Sequence, residues 1–119
     1  MAIATHAAPA SAPVNVRATA VSSVEIFVTW EEVLPDDQNG IIITYEVVYE
    51  PLETFNGVLM PVAINTTNMS LLLFDLHPFV NYSISVSAYT SVGAGPNGTD
   101  TERTYEDRKL IMVSLKCSY

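Results

Sequence analysis

From Tyr82 to Ala88 the chain alternates strictly. Tyr82, Ile84, Val86 and Ala88 are apolar or aromatic, and Ser83, Ser85 and Ser87 stand between them. Successive side chains of a strand point to opposite faces, so the pattern predicts a strand over Asn81–Thr90 with one face in a core and hydroxyls on the other. The same period of two recurs. In Val24–Glu31, Val24, Ile26, Val28 and Trp30 share one face, and Glu25, Phe27, Thr29 and Glu31 the other. In Ile42–Glu50, Ile43, Tyr45, Val47 and Tyr49 oppose Thr44, Glu46, Val48 and Glu50. Val14–Ser22 (Val16 and Ala18 inward), Val58–Ile64, Ser70–Phe74 and Thr99–Tyr105 complete the set. Pro61 restricts Val58–Ile64 to an edge or a bulge. Turn signals separate these segments: the acidic Glu32–Gly40 stretch, Pro51–Gly57, and the Gly-rich Ser91–Gly98, which reads as a hairpin loop. No window carries a 3.6-residue apolar period. Short alternating strands with frequent turns imply an all-β, antiparallel sandwich or barrel.

At 119 residues the chain fits one domain with a single core. Residues 1–11 are rich in Ala, Pro and Ser and read as a linker, 12–107 as the folded domain, and 108–119 as a tail. Thirteen acidic residues stand against five basic ones, and three of the five, Arg108, Lys109 and Lys116, lie in the tail. Up to Asp107 the net charge is −11, which would repel phosphate backbones and anionic lipid; no nucleic-acid partner is expected. Cys117 is the only cysteine, so an internal disulfide is impossible. Met1–Pro13 lacks the basic start and uninterrupted apolar run of an export signal. No apolar run approaches the ~18 residues of a spanning helix, so no direct membrane insertion is expected.

Chemistry has little to build on. His6 lies in the linker stretch, and Asp75 and His77 have no Ser or Cys placed by a nucleophile motif. Glu31, Glu32, Asp36 and Asp37 crowd one loop without calcium-loop spacing. Gly93–Gly98 is not followed by the Lys of a phosphate-binding loop. No catalytic residue, cofactor or metal is expected.

Several short motifs run in order: Pro13-Val14-Asn15-Val16; Ile26-x-Val28-x-Trp30; Asn39-Gly40, then Tyr45-x-Val47-x-Tyr49; Leu76-x-Pro78-x-x-x-Tyr82-x-Ile84-x-Val86-x-Ala88; Gly93-x-Gly95-Pro96; and Thr104-Tyr105-Glu106-Asp107. Together, over about Ala12–Asp107, they resemble a fibronectin type III domain. The resemblance implies a seven-stranded, immunoglobulin-like antiparallel β-sandwich. It gives structural roles to Trp30, Tyr45, Val47, Tyr49, Leu76, Pro78 and Tyr82. Leu76 and Pro78 would carry the chain from one sheet to the other, and the Tyr82 hydroxyl would bond a backbone group upstream. It also implies a binding and spacer module of an adhesion or receptor ectodomain, whose partners are other protein domains, neighbouring modules or a cell-surface or matrix protein. An accessory module of a larger enzyme, such as a receptor tyrosine phosphatase, and a muscle-type intracellular array domain are the alternatives. The Arg-Gly-Asp tripeptide of some family members and the Trp-Ser-x-Trp-Ser box of cytokine receptors are absent.

Two further features bear on location and contacts. Asn65, Asn68, Asn81 and Asn97 each head an Asn-x-Ser/Thr glycosylation sequon. Chance placement of the Asn, Ser and Thr present gives about one, so the excess favours an extracellular site over an intracellular array. Asn65 and Asn68 are expected before a strand, Asn97 in the hairpin loop, and Asn81 opposite inward Tyr82. In the family's sheet, the first, second and fifth strands are neighbours. With Trp30, Leu71 and Leu73 inward, strand parity puts Phe27, Leu72 and Phe74 on one outer face, a candidate contact patch.

Overall fold

The computed structural model describes residues 7–52 and 61–106. The strands are β1 (Val14–Ala20), β2 (Ile26–Glu31), β3 (Thr44–Pro51), β4 (Val62–Thr66), β5 (Ser70–Leu73), β6 (Asn81–Tyr89) and β7 (Ala94–Arg103). They pair antiparallel in two sheets, one ordered β1-β2-β5 and the other β4-β3-β6-β7. This is the seven-stranded sandwich that the resemblance implies, and one of the two architectures, sandwich or barrel, that the alternation leaves open. A 3₁₀ turn, Pro35–Asp37, lies in the acidic connection between β2 and β3.

The core forms where the inward sets meet. Ile26, Val28 and Trp30 of β2 and Leu73 of β5 face Tyr45 and Val47 of β3 and Tyr82, Ile84, Val86 and Ala88 of β6, all buried. Each large side chain removed from water contributes roughly 1.5–3 kcal/mol. Trp30 meets Tyr45 edge-on, with ring centroids 5.5 Å apart, and Tyr49 meets Tyr82 likewise at 6.3 Å. Among the described residues the Trp30 indole N–H finds no acceptor, so the contribution of this residue is its bulk.

Two irregularities shape the edges. Three residues of β1 span the interval that two span in β2, between Val14↔Glu31 and Arg17↔Thr29. Asn15 takes up the extra residue at φ +56°, a left-handed conformation that Asn tolerates, and its Nδ2 donates to Glu31 Oε2 at 2.7 Å. On β7 the register slips between Ser87↔Asn97 and Tyr89↔Ala94, where Pro96, with no N–H to donate, is accommodated.

That slip corrects one expectation. Ser91–Gly98 is not one loop: the turn is closed by Thr90 N donating to Gly93 O, and β7 begins at Ala94. Gly95 and Gly98 are strand glycines that admit the incoming chain. A Cβ on Gly95 would stand 2.7 Å from Pro9 Cβ and 2.8 Å from Pro9 O, and one on Gly98 2.7 Å from Val16 Cγ2. Residues 7–10, inside the stretch read as linker, are tied down accordingly. Ala7 N donates to Asn39 O, Ala10 N to Asp37 O and Thr90 Oγ1 to Ala7 O. Two inward assignments also change. Val24 lies in the β1–β2 turn, where Val21 N and Ser22 N both donate to Glu25 O, and is exposed. Ile43 precedes β3 and is exposed, while Ile42 packs against the core in its place. In both, the apolar alternation continues past the end of the ladder. Of the Val58–Ile64 segment, 58–60 lie outside the described residues, as does the tail.

Candidate contact face and the adjoining corner

The chain crosses between sheets over Phe74–Val80. Within it Leu76 and Val80 are buried, and Pro78 is half-buried between them. Pro78 fixes its own φ, and Asp75 and Phe79 on either side adopt φ +58° and +55°. The left-handed region is costly for a bulky residue such as Phe79. Several contacts hold it there: Phe79 N donates to Tyr105 O, Arg103 Nη1 donates to Phe79 O at 3.0 Å, and the Arg103 guanidinium lies 4.6 Å from the Phe79 ring centre. Tyr82 closes the crossing. Its hydroxyl accepts the His77 N–H at 2.8 Å while its ring is almost wholly buried. Burial holds the Tyr82 phenol above its ordinary pKa, and the His77 bond partly offsets this. Thr104, buried, grips the same segment by donating to His77 O at 2.7 Å and accepting from Val80 N at 3.0 Å.

Beyond the corner lies the outer face of β1-β2-β5. Thr19, Phe27 and Leu72 stand side by side across the three strands, and Arg17, Thr29 and Ser70 form the next row. Phe27 and Leu72 are each 39% exposed, and Phe74, which follows β5, is 59% exposed. Val21 and Val24 at the adjoining turn are exposed too. The structure therefore brings Phe27 and Leu72 together as a cross-strand pair, with Phe74 exposed just past the strand end.

The four-stranded sheet presents a different face. Asn65, Glu46, Ser87 and Asn97 occupy one row across all four strands, and Ala63, Val48, Ser85 and Thr99 the next. Asn65 lies within β4 rather than ahead of a strand, and Asn97 within β7 rather than in a hairpin loop; both are exposed. Asn81, half-buried, opens β6 beside inward Tyr82, and exposed Asn68 lies in the β4–β5 turn. Glu46 Oε1 accepts from the Tyr89 hydroxyl at 3.1 Å, a bond that raises the Tyr89 pKa.

Sequence reasoning missed the residues that join the two sheets at one rim. Asp100 Oδ2 accepts the Ala18 N–H at 2.9 Å, and Glu102 Oε2 accepts the Ala20 N–H at 2.8 Å. These amides lie on the edge of β1 away from β2. A signal was available: Asp100 and Glu102 pair with Ile84 and Tyr82, so both carboxylates have inward parity on an edge strand. Inward charges of this kind protect a sheet edge from pairing with other chains.

Among the described residues, no group of three or more His, Cys, Asp or Glu stands close enough to hold a metal ion, and no helix is long and apolar enough to cross a membrane. A model of the fibronectin type III domain family matches residues 11–104. The chain belongs to the fibronectin type III family. Protein sidekick-1 of Homo sapiens is 37% identical over 101 residues, which are 83% of this chain and 5% of that protein. Phosphatidylinositol phosphatase PTPRQ of Rattus norvegicus is 37% identical over 87 residues, 73% of this chain and 3% of that protein. The solution structure of the fn3 domain of human contactin 1 is 30% identical with a TM-score of 0.68, covering 87% of this chain and 84% of that one. This fibronectin type III domain thus spans about one-twentieth of the length of curated relatives such as sidekick-1.

Proposed function

We propose that this chain is a non-catalytic, extracellular fibronectin type III module of an adhesion or receptor-type protein, which spaces its neighbours and contacts another fibronectin type III module through the outer face of β1-β2-β5. The observation that carries the reading is the exposed Phe27–Leu72 cross-strand pair, with Phe74 exposed just past the end of β5, on a domain that matches only a small part of much longer relatives. Exposed aromatic and aliphatic groups on one face are the anchors from which a protein–protein interface is built. A second reading places the module beside a catalytic domain, as an accessory part of a larger enzyme. The likeness to the phosphatase favours it, and it assigns this chain the same non-catalytic role. Sedimentation velocity on the full chain tests the contact, with a second copy standing in for the partner module. Its average mass should rise with concentration, and Phe27→Ser combined with Phe74→Ser should suppress that rise while leaving stability within about 1 kcal/mol. A monomer at every concentration would refute the contact, as would a loss of several kcal/mol in the double variant.

A further inference from the structure

The sequons are distributed unevenly over the fold. Asn65 and Asn97 stand at opposite ends of one cross-sheet row, on the outer strands β4 and β7 of the four-stranded sheet. Three strand spacings separate them, about 14 Å. Their sequon hydroxyls belong to Thr67 and Thr99, both exposed, and Thr99 shares the outward parity of Asn97. Asn81 and its Ser83 point to the same face, so any glycan there covers the same surface. Asn68 differs: its sequon hydroxyl, on Ser70, is half-buried in β5 against Thr29, and Asn68 lies three residues from Asn65, close enough for the two sites to compete. None of the four asparagines lies on β1, β2 or β5.

We infer that Asn65 and Asn97 carry N-linked glycans that cover the outer face of β4-β3-β6-β7 and leave the outer face of β1-β2-β5 bare. The inference rests on the extracellular reading. Bulky, hydrated glycans on the two outer strands bar protein contact with that sheet. They also shield the outer edge of β4, which no strand among the described residues pairs and which would otherwise template another strand. The module then has one face closed to partners and one open.

The test is site-resolved. The full chain is secreted from mammalian cells behind an added signal peptide, and its glycopeptides are mapped. Asn65 and Asn97 should be modified and Asn68 not, and Thr67→Ala and Thr99→Ala should each remove one glycan. Hydroxyl-radical footprinting then compares the secreted chain before and after enzymatic deglycosylation. Oxidation of Tyr89 and Val48, on the covered face, should rise at least about twofold on glycan removal. Oxidation of Phe27, Leu72 and Phe74 should not change. An unmodified Asn65 or Asn97, or equal protection of the two faces, overturns the inference. The contact reading is tested separately on bacterially produced chain, which carries no glycan, so the two fail independently.

Discussion

Tyr82→Phe isolates a single hydroxyl. The phenylalanine ring keeps the buried volume and the edge-on contact with Tyr49, while the acceptor of the His77 N–H at 2.8 Å is lost. Losing a partly buried hydrogen bond and stranding its donor costs about 1–3 kcal/mol. For a domain of this size, 2 kcal/mol corresponds to a fall in Tm of roughly 8–16 °C. Urea denaturation reads the same change as a lower midpoint at constant slope, because the surface exposed on unfolding is nearly unaltered. Thr104 supplies an internal control. It holds His77 O and Val80 N of the same crossing, so Thr104→Val should be coupled to Tyr82→Phe by about 0.5 kcal/mol or more in a double-mutant cycle. An unchanged midpoint for Tyr82→Phe would show that the hydroxyl contributes nothing, and strict additivity that the two residues do not act on one segment.

Three further outcomes follow from the same geometry. Asp100→Ala and Glu102→Ala should each lower stability by roughly 1–3 kcal/mol and speed hydrogen exchange at the Ala18 and Ala20 amides; exchange unchanged at both amides would contradict the capping role. Burial is the largest cause raising the phenols of Tyr45, Tyr49 and Tyr82 above 10.0, so the folded state holds these protons more tightly than the unfolded chain. The stability this gives is complete below pH about 10 and is lost as pH rises through 10 towards the folded values, so the denaturation midpoint should stay level up to that point and then fall, with late phenolate absorbance; loss beginning well below pH 10 would point to other groups. Gly95→Ala should destabilise the domain, because the new methyl meets Pro9 Cβ and O below 3 Å, and should release Ala7–Ala10, seen as faster exchange at the Ala10 amide; a neutral effect would mean that the segment shifts freely.

Much of this fold is legible because alternation is a local signal with a global consequence. Trp30, Val28 and Ile26 share one face by parity alone, and the core they enter is the one that Tyr82, Ile84 and Val86 enter from the other sheet. Phe27 and Leu72 were legible for the same reason. Parity fails where a ladder stops, as at Val24 and Ile43, and it cannot tell a loop glycine from one that admits a neighbouring backbone, which is why β7 begins earlier than the pattern suggests. The Asn15 bulge and the left-handed Phe79 depend on tertiary partners, Glu31 and Arg103, that no local window contains. The Asp100 and Glu102 clasp left a trace, two carboxylates with inward parity, but its meaning depends on β1 passing that rim, and β1 is some eighty residues away in the chain.

The contact role of the β1-β2-β5 face is tested most directly by an amide NMR dilution series of the full chain. At a salt concentration of about 0.15 M, repulsion between chains of net charge −8 is screened beyond about 8 Å. Concentration-dependent shifts should concentrate at Thr19, Phe27, Thr29, Leu72 and Phe74, with Ser83, Ser85 and Thr99 on the opposite face unmoved, and should vanish in the Phe27→Ser, Phe74→Ser variant. Shifts that map to the Ser83–Ser87 face, or a spectrum unchanged across the whole series, would contradict the assignment.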